Sequence, residues 1–198
     1  MSGLRRLLQR LREEFFPASD DFDRDHAVKT SGRVWKWRFD VPWASRKTSV
    51  SYQPVNPEIF ARAISHLPPE TRDALFIDLG CGKGRALLLA RESGFKRIVG
   101  VEFSRALAKV ARKNVAGLAE VTVVCEDASK YEFEKAGHVT IFLYNPFGPE
   151  ILEQVVENLR RQGVTGFVVY VKPMHDGVLG ERGLTLIHRE NAFSVWKI

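Results

Sequence analysis

The stretch Asp78-Leu79-Gly80-Cys81-Gly82-Lys83-Gly84 is the most informative part of this sequence. It follows an apolar run over residues 75–79 and precedes a helical pattern over residues 85–93. Glycine lets the backbone turn sharply and approach a ligand without a clash from a Cβ atom, and the first amide groups of a helix have no partner within the helix. The stretch therefore predicts a ligand-binding turn between a strand and a helix.

The residue at position 85 separates several kinds of nucleotide-binding turn. A P-loop has lysine after its last glycine, and a dinucleotide-binding turn of the form Gly-x-Gly-x-x-Gly would need glycine at this position. Arg85 stands there, which excludes a P-loop and disfavours a nicotinamide-dependent oxidoreductase. The spacing Gly80-x-Gly82-x-Gly84, with Asp78 two residues ahead, instead resembles motif I of class I methyltransferases.

Strand and helix patterns alternate on both sides of the turn. The predicted strands cover residues 75–79, 98–101, 121–125, 139–144 and 167–171, and the predicted helices cover residues 57–67, 85–93, 104–116 and 149–161. This alternation predicts an α/β fold with a mostly parallel sheet and helices on both faces. Residues 184–188 and 193–198 are strand-like as well and predict a closing antiparallel hairpin.

Two acidic residues end predicted strands beyond the turn. Glu102 ends the second strand and Asp127 ends the third. A carboxylate at such a position can accept two hydrogen bonds from a ribose diol, although either residue alone could simply cap the helix that follows. With Asp78 they form a set at the carboxyl ends of successive strands, where open parallel sheets bind ligands.

The resemblance to class I methyltransferases covers residues 57–198 and implies a Rossmann-like, seven-stranded sheet that binds S-adenosylmethionine over its carboxyl edge. It implies that Glu102 holds the ribose, that Asp127 meets the adenine and that the glycine turn lies near the methionine portion. The cofactor-binding residues expected on this basis are Asp78, Gly80, Cys81, Gly82, Gly84, Glu102, Asp127 and Tyr52.

The predicted catalytic residues, Asn145-Pro146-Phe147, follow the fourth strand. They resemble the Asn/Asp-Pro-Pro-Tyr/Phe motif of methyltransferases that act on nitrogen, although Phe147 replaces the second proline. The Asn145 oxygen can accept a hydrogen bond from an amino group and orient its lone pair, and methyl transfer depends chiefly on such positioning. Pro146 fixes the turn, and Phe147 offers a flat wall or a face for a cation. A plain strand-ending turn is the alternative.

Residues 1–56 form a predicted N-terminal extension before the methyltransferase domain. Leucines at helical spacing predict an amphipathic helix over residues 2–16, which would contact the domain, a partner or a membrane surface. The segment Tyr52-Gln53-Pro54 and the Gly-Lys-Gly-Arg turn resemble a largely uncharacterised bacterial methyltransferase group and, more distantly, protein lysine methyltransferases. Tyr52 is expected either to form a lid near cofactor and substrate or to cap the sheet edge, together with Trp35, Trp37 and Trp43.

Composition limits the other possibilities. The net charge of +6 and the pI of about 9.5 suit an acidic partner such as nucleic acid, yet the sequence has no dense basic run and no RNA-binding module. No apolar run approaches the ~18 residues of a membrane-spanning helix. Cys81 and Cys125 lie in apolar stretches without metal-ligand spacing, which predicts buried thiols, no metal site and a reducing, cytoplasmic compartment.

These patterns together predict an S-adenosylmethionine-dependent methyltransferase that acts on nitrogen. A protein side chain such as lysine ranks above a nucleic-acid base as the acceptor, and a protein that binds the cofactor without chemistry is a further alternative. No general base for a lysine acceptor stands out, because His138, His175 and His188 are each expected at the surface or in packing.

Overall fold

The glycine turn follows the first strand of a seven-stranded sheet in a computed structural model that describes residues 20–32, 52–133 and 138–198. The strands are β1 (Leu75–Leu79), β2 (Arg97–Val101), β3 (Val121–Val124), β4 (His138–Tyr144), β5 (Thr165–Val171), β6 (Thr185–Arg189) and β7 (Phe193–Lys197). Their order in the sheet is β3-β2-β1-β4-β5-β7-β6. Strands β1 to β5 are parallel, and β7 is antiparallel to β5 and β6, which confirms the predicted fold class.

Helices cover both faces of this sheet. Within the described residues they are α1 (Asp21–Asp25), α2 (Pro57–Ser65), α3 (Arg85–Glu92), α4 (Arg105–Asn114), α5 (Pro149–Arg161), α6 (Gly177–Glu181) and a 3₁₀ helix at Pro69–Asp73. Asn56 Oδ1 accepts hydrogen bonds from the first amides of α2, and Ser104 Oγ accepts from Leu107 at the start of α4. Such caps satisfy amides that a helix leaves unpaired at its start.

The sheet is buried on both faces, so its central strands are apolar almost throughout. All five residues of β1 are buried. On one face, the Phe76 ring packs against Phe60 of α2 and Phe142 of β4, with centroid distances of 6.1 and 5.9 Å. On the other face, Ile77 belongs to a core cluster that includes Leu152 of α5. These two cores fix the carboxyl end of β1, where the glycine turn begins.

From residue 57 onward, each predicted strand and helix begins and ends within two residues of the observed one. The short helices α1 and α6 were not predicted, because each has only five residues and α6 contains two glycines. The predicted helix over residues 2–16 and the residues Trp35, Trp37 and Trp43 lie outside the described part of the chain. In that described part, no helix combines the length and the apolar character needed to cross a bilayer.

Two expectations about β3 need correction. The prediction of a buried thiol holds for Cys81 but is wrong for Cys125, which is exposed. The reason is that β3 ends at Val124, so Cys125 lies beyond the last strand pair. Asp127 likewise does not end the strand but lies three residues further along.

Residues 20–32, which we call the N-terminal clasp, pack against the start of α3. Asp23 accepts hydrogen bonds from the amide and the hydroxyl of Thr30 at 2.9 and 2.5 Å. Arg85 donates to Thr30 Oγ1 at 2.7 Å and to Asp20 at 2.6 Å, and it forms an ion pair with Asp23 at 3.3 Å. Since Arg85 is only 5% exposed and Asp23 only 3%, a buried ion pair attaches the clasp to the domain.

Removing Arg85 is expected to destabilise the fold, because Asp23 would stay buried without its positive partner. For Arg85→Ala we expect a loss of about 3 kcal/mol in the free energy of unfolding, measured by urea denaturation. Arg91→Ala, on the same helix, is the matched control: Arg91 forms a solvent-exposed ion pair with Glu120, so its loss should cost at most about 1 kcal/mol. Equal losses for the two variants would contradict the buried role of Arg85.

Candidate active site

Backbone hydrogen bonds hold the glycine turn at the carboxyl end of the sheet. The amides of Gly80 and Cys81 both donate to the carbonyl of Val101, at 2.8 and 3.0 Å, which ties the turn to the end of β2. Gly80, Gly82 and Gly84 have φ values of 87°, 56° and 87°, a left-handed backbone that other residues rarely adopt. The shape of the turn therefore requires the glycines of the motif.

Glu102 links the turn to α4. Its Oε2 accepts a hydrogen bond from the amide of Gly82 at 2.8 Å, and its Oε1 accepts one from the amide of Ser104 at 2.8 Å. The side chain that caps α4 is that of Ser104, so Glu102 is not merely a helix cap. These two hydrogen bonds hold the carboxylate between the glycine turn and the start of α4, at the end of β2.

Asp78 adds a second buried carboxyl at the start of the turn. It is 3% exposed, and burial, followed by the charge of Glu102, raises the pKa of Asp78 well above the ordinary aspartate value. A positive charge nearby would favour the ionised forms of both groups, because it offsets their desolvation and their mutual repulsion. The pair therefore suits a ligand that carries positive charge.

The edge beyond β2 offers an acid and an exposed ring. Asp127 Oδ1 accepts hydrogen bonds from the amide and the hydroxyl of Ser129, at 3.0 and 2.8 Å, and so closes its own turn. Phe103 directly follows Glu102 and is 37% exposed, and the thiol of Cys125 lies 3.7 Å from the Phe103 carbonyl. Glu102 is the residue expected to bind a ribose. An exposed aromatic ring next to it can stack on the base of the same ligand. The sequence contains one signal for a role of Phe103 in the site, which is its position directly after Glu102.

Tyr52 covers the glycine turn. A Cβ atom at Gly82 would lie 2.2 Å from Cδ2 of Tyr52, so the ring rests where a side chain would otherwise be. The Tyr52 hydroxyl donates to the carbonyl of Thr30 at 2.7 Å, and burial raises the pKa of Tyr52 well above its ordinary value, which keeps this donor protonated. Lys83 Nζ lies 5.2 Å from the ring centroid. Tyr52 thus joins the turn to the N-terminal clasp.

Asn145 and Pro146 reach the same turn from the end of β4. A Cβ atom at Gly80 would lie 2.5 Å from Cβ of Pro146. Asn145 has a φ of 41°, and strained backbone of this kind clusters at functional sites. The Tyr170 hydroxyl donates to Asn145 Oδ1 at 3.4 Å, and it stays protonated because burial raises the pKa of Tyr170 to about 12.

Three residues of the predicted site have a packing role. Phe147 and Cys81 are buried in the two core clusters, and Gly84 faces α4, where an added Cβ would lie 3.4 Å from Cβ of Ala111. Their contact with a ligand stays a prediction. The residues that the structure brings to one edge of the sheet are Asp78, Gly80, Gly82, Glu102, Asn145, Pro146 and Tyr52.

Within the described residues, one group of side chains has the composition of a metal site. The ligand atoms of His66, His188 and Glu190 lie within 4.8 Å of one another. The two imidazole rings stack, with a centroid distance of 3.7 Å and an interplanar angle of 15°, so their nitrogen lone pairs run side by side instead of converging. A metal ion would require the rings to rotate. His188 lies on β6, and three strands separate β6 from β1 and its turn.

One family of known proteins matches the part of the chain that contains the candidate site. Residues 78–170 match the model of the ANTKMT methyltransferase domain. The matched segment contains the glycine turn, Glu102 and Asn145. A search of the curated proteins finds no match to the chain.

Solved methyltransferase structures align with the sheet and its helices. A putative methyltransferase, yhhF, from Escherichia coli aligns with a TM-score of 0.58 at 20% identity, over 74% of this chain and 88% of its own. A ribosomal protein L11 methylase from Lactobacillus delbrueckii gives 0.54 at 16% identity, over 71% and 75%. A precorrin-6y methyltransferase from Geobacter metallireducens gives 0.54 at 18% identity, over 71% and 87%. This chain has the class I methyltransferase fold.

The class I methyltransferase fold leaves the acceptor open. The names of the aligned proteins refer to a ribosomal protein in one case and to a precorrin in another. A shared fold does not determine the substrate, which depends on the side chains of the site.

Gly82→Ala is expected to weaken binding of a ligand at the turn by about tenfold or more, about 1.4 kcal/mol, and S-adenosylmethionine is the ligand that the resemblance implies. The new Cβ atom would overlap the Tyr52 ring and force it off the turn. Gly94→Ala is the matched control, because Gly94 also has a positive φ, of 90°, but has no atom within 4 Å of an added Cβ. Calorimetric titration should show normal affinity for the control. Normal affinity for Gly82→Ala as well would refute the role of the turn.

Ionisation of the buried Asp78 carboxyl should lower the free energy of unfolding as the pH rises, when no ligand is added. Because its pKa is raised in the folded state, folding favours the protonated form. That contribution is fully present below the ordinary aspartate pKa of about 3.9, and it is lost as the pH rises toward the raised value. Asp78→Asn lacks this dependence, so it should gain stability relative to the parent chain as the pH is raised from about 4. Urea denaturation at several pH values measures the difference, and a constant difference would argue against the buried carboxyl.

Proposed function

We propose that this chain transfers a methyl group from S-adenosylmethionine to a nitrogen atom, with the side-chain amine of a protein lysine as the acceptor. The contact between Pro146 and Gly80 carries the proposal. An acceptor held by Asn145 would lie next to a cofactor held by the glycine turn. The match of residues 78–170 to the ANTKMT methyltransferase domain supports the same type of activity.

The turn suits S-adenosylmethionine in charge and in shape. When bound, this cofactor supplies a methyl group on a positively charged sulfonium. The carboxyl groups of Asp78 and Glu102 would offset positive charge above the turn. Glycine at positions 80 and 82 leaves room for a close approach to the backbone. Glu102 would accept hydrogen bonds from the ribose hydroxyls, and the exposed Phe103 ring would offer a face to the adenine.

Asn145 would position the acceptor nitrogen. The Tyr170 hydroxyl donates to Asn145 Oδ1, which leaves the second lone pair of that oxygen for an N–H group of the acceptor. Methyl transfer is an in-line displacement, so holding the nitrogen in the correct place provides most of the acceleration. Tyr144 is a half-buried ring at the end of the same strand, and an aromatic face of this kind suits an ammonium group. The resemblance of the Tyr52-Gln53-Pro54 segment to protein lysine methyltransferases supports the same acceptor.

A nucleic-acid base is the second candidate acceptor. The net charge of +6 favours binding to phosphates, and the exposed ring of Phe103 could stack on an unpaired base. The two candidates differ in their response to salt. Binding through phosphates weakens steeply as salt is added, whereas capture of a lysine by an amide and an aromatic ring depends on salt much less.

A thermal shift assay with S-adenosylmethionine, S-adenosylhomocysteine, NADH and ATP tests the cofactor. At about 100 times its dissociation constant a ligand stabilises by ~2.7 kcal/mol, which raises the melting temperature of a chain of this size by roughly 5–10 °C. A selective rise with the two adenosyl ligands supports the proposal, and no rise, or an equal rise with NADH, contradicts it. Transfer of a radiolabelled methyl group to protein and RNA fractions, with and without added salt, then distinguishes the two acceptors.

Asn145→Gly tests the catalytic assignment, because it removes the amide and leaves a left-handed backbone unstrained. We expect turnover to fall about 100-fold, with the dissociation constant of S-adenosylmethionine unchanged. Tyr170→Phe keeps Asn145 and removes only its hydrogen-bond donor, so turnover should fall about fivefold, equivalent to about 1 kcal/mol. Unchanged turnover in Asn145→Gly would show that the residue only ends the strand.

A further inference from the structure

Lys172 places its ammonium group near Tyr144, the ring that the proposed function assigns to the acceptor. Its Nζ donates to Gln53 Oε1 at 2.8 Å and lies 5.8 Å from the centroid of the Tyr144 ring. An amide oxygen and an aromatic face are groups that bind an alkylammonium ion. A lysine acceptor would need contacts of this kind, and a lysine of the same chain makes them here.

The sheet register puts Lys172 next to Asn145. Tyr144 of β4 is paired with Val171 of β5, and paired strands lie about 4.8 Å apart. Asn145 and Lys172 directly follow this last pair. Both have a left-handed backbone, with φ values of 41° and 55°. This conformation is uncommon for residues other than glycine and is unfavourable for a long side chain such as lysine. Backbone of this kind clusters at functional sites, so the two residues support a functional role for this end of β4 and β5.

Other contacts connect Lys172 to the cofactor side. The amide of Lys172 donates to the carbonyl of Ala192 at 2.8 Å, which fixes the backbone from which the side chain projects. Gln53, which binds the ammonium group, is the neighbour of Tyr52, whose ring covers Gly82. Residues 52–53 therefore contact both the glycine turn and the Lys172 ammonium group.

We propose that Lys172 is a self-methylation site, to which the chain transfers a methyl group within the same molecule. This inference rests on the proposed function. The ammonium group first loses a proton to water, and the freed lone pair of Nζ then forms a bond to the methyl carbon. The bond between that carbon and the sulfonium sulfur breaks, its electron pair stays on sulfur, and S-adenosylhomocysteine leaves. The product is a methylammonium group, which keeps the positive charge and can stay at the Tyr144 ring.

Mass spectrometry of the full chain tests the modification. The purified protein is incubated with S-adenosylmethionine that carries a trideuterated methyl group, without any other acceptor, and is then digested. We expect the label on Lys172, with a rate constant that does not depend on protein concentration. Lys197 is the matched internal control, because it is exposed like Lys172 but lies at the opposite end of the sheet. Lys172→Arg should abolish the label, and Gln53→Ala, which removes the oxygen partner, should slow labelling about tenfold.

A second measurement tests the position of Lys172 without the cofactor. Lysines are methylated chemically with isotope-labelled formaldehyde and borohydride and observed by NMR, and Lys172→Arg identifies the resonance of interest. We expect the ring of Tyr144 to shift this resonance away from that of Lys197, which is also exposed but lies at the opposite end of the sheet, and Tyr144→Leu to remove the shift. An unshifted resonance in the parent chain would overturn the placement.

Calorimetry with S-adenosylmethionine on the same preparation separates the two proposals. Binding without any label on Lys172 would overturn self-methylation and leave the proposed function intact. Labelling with a rate constant that rises with protein concentration would also overturn it, because transfer would then occur between molecules. Absence of binding would overturn both proposals.

Discussion

The amide of Gly82 donates a hydrogen bond to Glu102 Oε2, and the position of the glycine turn in the candidate site depends on this bond. It gives a buried amide its acceptor and a buried carboxylate one of its donors, and each group would be costly to bury alone. The bond also fixes the end of β2 relative to the turn that follows β1. The bond therefore gives this edge of the sheet its shape from groups of the chain itself.

Lys83 and Arg85 connect the glycine turn to the N-terminal clasp. They flank Gly84, and both reach back to the N-terminal clasp: Lys83 donates to the carbonyl of Ser31, and Arg85 donates to Thr30. Burial lowers the pKa of Lys83, as expected for a cation covered by neighbouring chain. The two basic residues serve to attach a separate segment over the turn, and Tyr52 completes that cover.

Much of the fold could be predicted because its signals are local. The apolar run of β1, the glycine spacing and the cap at Asn56 each occupy a few residues, and together they give the strand, the turn and the helix starts. Cys125 shows where local signals fail: its apolar surroundings predict burial, but the end of β3 depends on its last pair with β2, Val101 with Val124. The extent of a strand is set by its partner, which the pattern of one segment does not contain.

The same limit applies to the site. The glycines, Asp78 and Glu102 could be assigned from one motif and one strand end, and the structure places them together. The partners of Arg85 and Lys172 could not be inferred, because Asp23 is 62 residues away from Arg85 and Gln53 is 119 residues away from Lys172. Contacts over such separations follow from the folded topology, and no spacing rule in the sequence indicates them.

The N-terminal clasp also constrains the order of events during synthesis. Residues 20–32 leave the ribosome well before Arg85, and a loop of about 60 residues has to close before Asp23 meets its cation. Until then the carboxylate must remain hydrated, because burying it unpaired would be costly. Nascent chains that end before the glycine turn would therefore expose the clasp to proteases, and the clasp would become protected only when the first strand and helix of the sheet have formed.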